Sequence, residues 1–290
     1  MLNFMRYRLL YLFISSLILV PGLFILVTKG LKPSIDFTGG ALLEIKVEKD
    51  QQPTTDEVKK IIEDQKIEVG SIQPTSQGSL VIRLKPLEQS QHEKISVELT
   101  KQFGTINEIR FESIGPTLGK ELLQKTFIVS LIAIVIILSY VAWAFKNIRY
   151  GVSAIIALIH DLLVVVSAFA LLGYFKGIEV DSLFVTAILT TMSFSVHDTI
   201  VVFDRIREHQ KQGKELTFEH QVNIALTETM GRSLNNSLTI IFMLLALFLI
   251  GGDTIKWFSF ALLVGTISGT YSSPFVATPI LYVWYELRKK

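Results

Sequence analysis

"LFVTAILTTMSFSVHDTIVVFDRIREHQ", residues 183–210, decides what kind of chain this is. Leu183 to Val196 carry no charge, and the run from about Ser182 to Phe203 reaches the roughly 20 residues that a helix needs to cross a bilayer. His197 and Asp198 interrupt it, and Asp204, Arg205 and Arg207 close it. At about 1.5 Å per residue, Asp198 sits on the order of 7 Å inside the end at Phe203. A charge at the centre of a membrane helix costs about 2.5–3.5 kcal/mol on insertion scales. An Asp side chain is also too short to snorkel well. Asp198 is therefore the first candidate for a functional group, with His197 beside it.

Five further segments have the same character: Leu9–Val27, Thr126–Phe145, about Tyr150–Phe175, Ser233–Gly252 and Trp257–Tyr285. The last is long and holds Pro274 and Pro279, which predicts a kink or a stretch outside the hydrocarbon. The whole chain agrees with six spans: half of its 290 residues are hydrophobic, only 19% are charged, and mean hydropathy is +0.46. Cysteine is absent, which excludes disulfides and thiolate chemistry. A net charge of +2 gives no electrostatic case for nucleic-acid binding. The first apolar run exceeds a signal-peptide core and has no small-residue cleavage site after it, so it is expected to stay as a helix.

Basic residues set the expected orientation. Arg6 and Arg8 precede the first span, Lys146 and Arg149 lie between the second and third, and Arg205, Arg207, Lys211 and Lys214 follow the fourth. Arg288, Lys289 and Lys290 end the chain, whereas the short loops of the opposite side hold only Lys176 and Lys256. Both termini are thus expected in the cytoplasm. The expected division is residues 1–30 (N-terminus and first helix), 31–123 (an exported domain) and 124–290 (helices two to six). Lys32 to Glu121 carries 12 Lys and Arg against 15 Asp and Glu, a net of −3 that leaves +5 for the rest.

The long loop reads as β-α-β-β-α-β, a ferredoxin-like unit. "ALLEIKVE" (41–48) and "TINEIRFESI" (105–114) alternate as strands do. "IEVGSI" (67–72) and "SLVIRLK" (79–85) are joined by the turn-forming "PTSQG". "TTDEVKKIIEDQ" opens with the capping box Thr54-x-x-Glu57, and "SQHEKISVELTKQFG" (90–104) is a helix stopped by Gly104. His92, in a polar stretch, is expected at the surface. An open sheet face or edge suits a passing peptide, and a spacer that docks on a partner is the other reading.

Two more polar groups lie at membrane depth. His160 and Asp161 fall near the middle of the third span and point about 100° apart, so at least one must face the bundle. Arg232, Asn235 or Asn236, and Thr239 form a stripe on the fifth helix, at a depth that allows Arg232 to pair with Asp198. Bland readings stand beside these: Arg232 as a cytoplasmic anchor, Asp161 as a structural hydrogen-bonding residue and His197 as a mere neighbour. Gly265 and Gly269 form GxxxG, with Ser268, Ser272 and Ser273 nearby, and read as helix packing. No HExxH, Walker or GxSxG motif occurs, so neither enzyme, metal site nor cofactor is expected.

"IDFTGG" (35–40), "SIGPTLGKEL" (113–122), "HDTIVVFDRIRE" (197–208), "LTIIFMLLALFLIGG" (238–252) and "GTYSS" (269–273) together resemble the SecD/SecF family of bacterial protein-export membrane subunits. Asp36, Gly39 and Gly40 fall on the family signature. The resemblance implies half of a transporter of the resistance-nodulation-division superfamily, in the bacterial cytoplasmic membrane. It implies pairing with SecD, work beside the SecYEG channel and YajC, and help for an emerging preprotein driven by the proton motive force. On that reading Asp198 maps onto the proton carrier and Arg232 onto the arginine that opens the fifth helix, with His197, Asp161 and His160 as further relay candidates. The family commonly has Asn where this chain has His197. The alternative is half of a small-molecule or lipid exporter of the same superfamily.

Overall fold

The computed structural model describes residues 3–48, 53–75, 78–145, 147–212 and 216–287, with the backbone alone at Gln212 and Asp253. Lys146, Lys214 and Arg288 to Lys290, used above for orientation, lie outside them, as do Ser76 and Gln77 of the turn. The chain forms two compact units, one of residues 1–32 with 128–290 and one of residues 33–127.

The first unit is helical, and among the described residues six helices are long and apolar enough to cross a membrane. The chain is a multi-pass membrane protein. Helix α1 (Arg8–Lys29) extends a short 3₁₀ turn, Phe4–Tyr7. Its other long helices come later in the chain, labelled α5 to α9 once the α+β unit has taken α2 to α4, and α5 begins within that second unit. The core clusters include Leu158 and Phe169 on the third span, Phe184 and Phe203 on the fourth, Leu226 and Leu244 on the fifth, and Ala261 and Leu281 on the sixth.

The second unit begins with one turn of helix, α2 (Ile35–Thr38), and continues as β1 (Gly40–Val47), α3 (Thr55–Asp64), β2 (Val69–Pro74), β3 (Leu80–Leu84), α4 (Gln89–Phe103) and β4 (Ile106–Ile114). The sheet order is β2-β3-β1-β4, antiparallel throughout, which is the ferredoxin-like arrangement. Alternation decides the buried face: Ala41, Leu43 and Ile45 of β1 and Leu80, Ile82 and Leu84 of β3 meet Val58, Ile61 and Ile62 of α3 and Ile95 and Leu99 of α4. Both halves of the capping box form, since Thr54 Oγ1 accepts from Glu57 N–H while Glu57 Oε2 accepts from Thr54 N–H. Gly104 ends α4 at φ +83.

His92 departs from its expected place. It is buried between α4 and β4, its ring stacked on Phe111 at 3.7 Å with Nε2 2.8 Å from Glu108 Oε2. The polar letters around His92 describe the solvent side of α4. Its position three before Ile95 and seven before Leu99 puts it on the buried side.

The membrane helices that follow are α5 (Pro116–Ala144), α6 (Ile148–Lys176), α7 (Ser182–Gln212), α8 (Phe218–Ile250) and α9 (Asp253–Ser272), then α10 (Thr278–Leu287). Helix α8 starts at Phe218, well before the expected Ser233. Residues 218–232 are amphipathic, burying Phe218, Val222, Ala225 and Leu226, and hydropathy alone does not see such a helix. The kink expected in the sixth span is a π-helical turn, Ser273–Ala277, with Pro274 as its second residue and Thr278 N–H bonding Ser273 C=O.

Candidate functional site

Asp198 lies on α7, half-buried, and has no hydrogen-bond or ion-pair partner among the described residues. It lines a narrow cavity of about 20 Å³, room for about one water, together with His197 and Phe194 of α7, Asn236, Ser237 and Ile240 of α8, and Thr266, Gly269 and Thr270 of α9. The lining is hydroxyls, an amide and apolar carbon, with His197 as the other titratable group. His197 itself is exposed.

The expected pair between Asp198 and Arg232 does not form. Helices α7 and α8 run antiparallel, and their register sets Asn236 and Ser237 opposite Asp198. Arg232 is one turn further on, in a separate wide cleft of about 530 Å³ lined by Val201, Asp204, Arg205, Glu208, Glu228 and Thr229. In that cleft Arg205 donates from Nε to Glu228 at 2.6 Å and from Nη1 to Glu208 at 2.5 Å. His209 also reaches Glu228, at 2.8 Å.

Among the described residues the most enclosed ionisable group is Asp161, in the middle of α6 and only 3% exposed. Ser195 of α7 donates to its Oδ2 at 2.6 Å, as does Ser272 of α9. Ser268 of α9 donates to Oδ1 at 2.6 Å, and His160 Nδ1 lies 3.1 Å from the same oxygen. These are lengths typical of hydroxyls bound to a carboxylate. Beside this node the helices touch closely. A Cβ on Gly265 would come within 2.2 Å of Thr191 Cγ2, and one on Gly269 within 3.2 Å of Ser195 Cα. Sequence reading took Ser268 and Ser272 only as small packing residues and did not single out Ser195. The available signal was the four-residue spacing of Ser268 and Ser272, which puts two hydroxyls on one helix face.

In the α+β unit, Ser34 caps α2 by accepting from Asp36 N–H. Gly39 and Gly40 have φ of +72 and +135, where a side chain is strained. A Cβ on Gly39 would lie 2.8 Å from Pro116 Cα, and one on Gly119 would lie 2.7 Å from Gly39 N. The signature glycines thus let the segment leading into the sheet cross the first turn of α5 at backbone contact.

The pattern of known proteins agrees with this architecture. The family described as "Protein export membrane protein SecD/SecF, C-terminal" matches residues 94–287, and the "SecD/SecF GG Motif" matches residues 24–51. The chain belongs to the SecD/SecF family. Protein translocase subunit SecF of Thermobaculum terrenum is 42% identical over 98% of this chain and 94% of its own length. That of Anaerolinea thermophila is 40% identical over the same shares. Protein translocase subunit SecDF of Bacillus subtilis is 34% identical over 96% of this chain, which spans 38% of that longer protein. The crystal structure of SecDF from Thermus thermophilus, a translocon-associated membrane protein, superposes on 98% of the chain with a TM-score of 0.86 at 29% identity. The chain spans 39% of that structure.

Proposed function

We propose that this chain is an accessory subunit of the Sec protein translocase, which pairs with SecD and uses the proton motive force to promote late steps of preprotein export. The observation that carries the reading is Asp198, a carboxylate on a membrane helix with no ion partner among the described residues, opening on a water-sized cavity. Family membership supplies the setting. The SecDF relatives, of which this chain spans less than half, support a SecD half as partner. SecYEG, YajC, the preprotein and surrounding lipid complete the proposed surroundings. The basic loops support the bacterial cytoplasmic membrane with both termini inside and residues 31–123 outside.

In the proposed cycle Asp198 takes a proton through the cavity and loses its charge. Its interaction with the neighbouring dipoles weakens, and helix packing shifts. A charge that crosses the membrane potential releases about 2.3 kcal/mol per 100 mV. His197 stands at the mouth of the path, and Arg232 holds the adjacent cleft. Asp198→Asn is expected to abolish the dependence of preprotein export on the proton motive force in membrane vesicles, while leaving ATP-driven export intact. Unchanged force dependence in that variant would overturn the reading.

A further inference from the structure

We infer that Asp161 is a positioning residue for Asp198, acting through Ser195, and is not itself a proton carrier. This rests on the reading of Asp198 as the titrating group. Asp161 has about four acceptor positions, and four donors fill them: Ser268 and His160 on Oδ1, Ser195 and Ser272 on Oδ2. A proton arriving at Asp161 would have to displace one of these or turn a serine hydroxyl from donor to acceptor. At Asp198, by contrast, both oxygens are free of hydrogen bonds among the described residues.

The donors come from α6, α7 and α9, so one carboxylate ties three helices together. Ser195 lies three residues before Asp198, on the same side of α7 one turn away. Its other flank is pressed on Gly269, which also lines the cavity of Asp198. Glycine contacts hold two helices close but leave them free to rotate or slide, because they have no side chain to interlock. The Ser195–Asp161 bond supplies the missing directional contact, and it fixes the rotation of α7 that aims Asp198 between α8 and α9. Thr199 and Ser273, 2.9 Å apart one turn further on, support the same seam. Facing the node, the titratable groups are His160 from α6 and Tyr271 from α9, whose rings are 6.5 Å apart. Helix α7 presents hydroxyls to it.

The test uses the full chain in proteoliposomes and the carboxylic C=O infrared band that disappears in Asp198→Asn. In Ser195→Ala and Asp161→Asn this band is expected to persist, with its titration midpoint moved by about half a pH unit or more. Ser268→Ala, which spares the bond to α7, is expected to move it less. Midpoints unchanged in both Ser195→Ala and Asp161→Asn, with only thermal stability lowered, would reduce Asp161 to packing and overturn the inference. Loss of the band in Asp161→Asn would make Asp161 the carrier and overturn it too. Ser195→Ala alone decides if Asp161→Asn does not fold, since it keeps three of the four donors. If Asp198→Asn leaves force-dependent export intact, the underlying reading falls and takes this inference with it. If that variant stops force-dependent export while the midpoint stays unmoved in Ser195→Ala, only the inference falls.

Discussion

His92 shows how one side chain can be placed by its periodicity against the tenor of its neighbours. Its ring fills the space between α4 and the edge strand β4, stacks on Phe111 and bonds Glu108, while Nδ1 is buried without a partner. Truncation should therefore act through lost packing, because Glu108 is accessible enough to find water. His92→Ala is expected to destabilise the chain by about 1–3 kcal/mol. His92→Phe keeps the stack, removes the orphaned nitrogen and loses the Glu108 bond, so its effect should stay within about 1 kcal/mol. Denaturant unfolding followed at the α+β unit distinguishes the two. Equal losses for both variants would show that the bond to Glu108, not the ring, holds α4 to the sheet.

At the scale of the element, the capping box of α3 was legible from four letters. The Thr54 backbone N–H, and then its hydroxyl, hold the Glu57 carboxyl below the usual carboxylate range. A folded value below the unfolded one stabilises the helix start above the unfolded value of about 4.3, and this is lost as pH falls through the folded value. Hydrogen-exchange protection of the first turn of α3 is expected to fall as the pH drops through the lowered folded value. In Thr54→Ala it should already be low at neutral pH, with the acid step flattened. Other elements were legible because their patterns were strong. The strands alternate, and the six apolar runs are long. The start of α8 was hidden because its first four turns bury one face and solvate the other, so they carry no hydropathy signal. The Asp161 node was half legible: depth marked the carboxylate, but its serine donors come from two helices far away in sequence, and single-chain spacing cannot bring them together. The same holds for the α7–α9 seam, where Gly265→Ala is expected to lower thermal stability in detergent. Thr191→Gly in the same chain should restore a good part of the loss, because the clash is with Thr191 itself. Additive losses would show that the clash is relieved elsewhere.

Over the whole membrane unit, α6, α7 and the last span hold the core, while α1, α5 and α8 leave most of their apolar surface uncovered. Lipid covers such a surface at no penalty, and on α5 apolar side chains such as Phe127, Ile132 and Ile136 are exposed along the helix. Helix α8 is different. Arg232, Asn235, Asn236 and Thr239 are all exposed, and they share a face that continues into the cavity of Asp198 through Asn236. Lipid is a poor neighbour for an arginine and two amides, whereas the polar face of another membrane chain satisfies them. On the proposed function that chain is SecD. The absence of cysteine makes the point directly measurable, since any introduced thiol is unique in this chain. A cysteine at Asn235 is expected to cross-link to thiols on SecD in membranes, and one at Ile132 of α5 is not. Cross-linking from Ile132 but not from Asn235 would place the partner against α5 and leave the polar face of α8 to be satisfied by water entering through the Arg232 cleft.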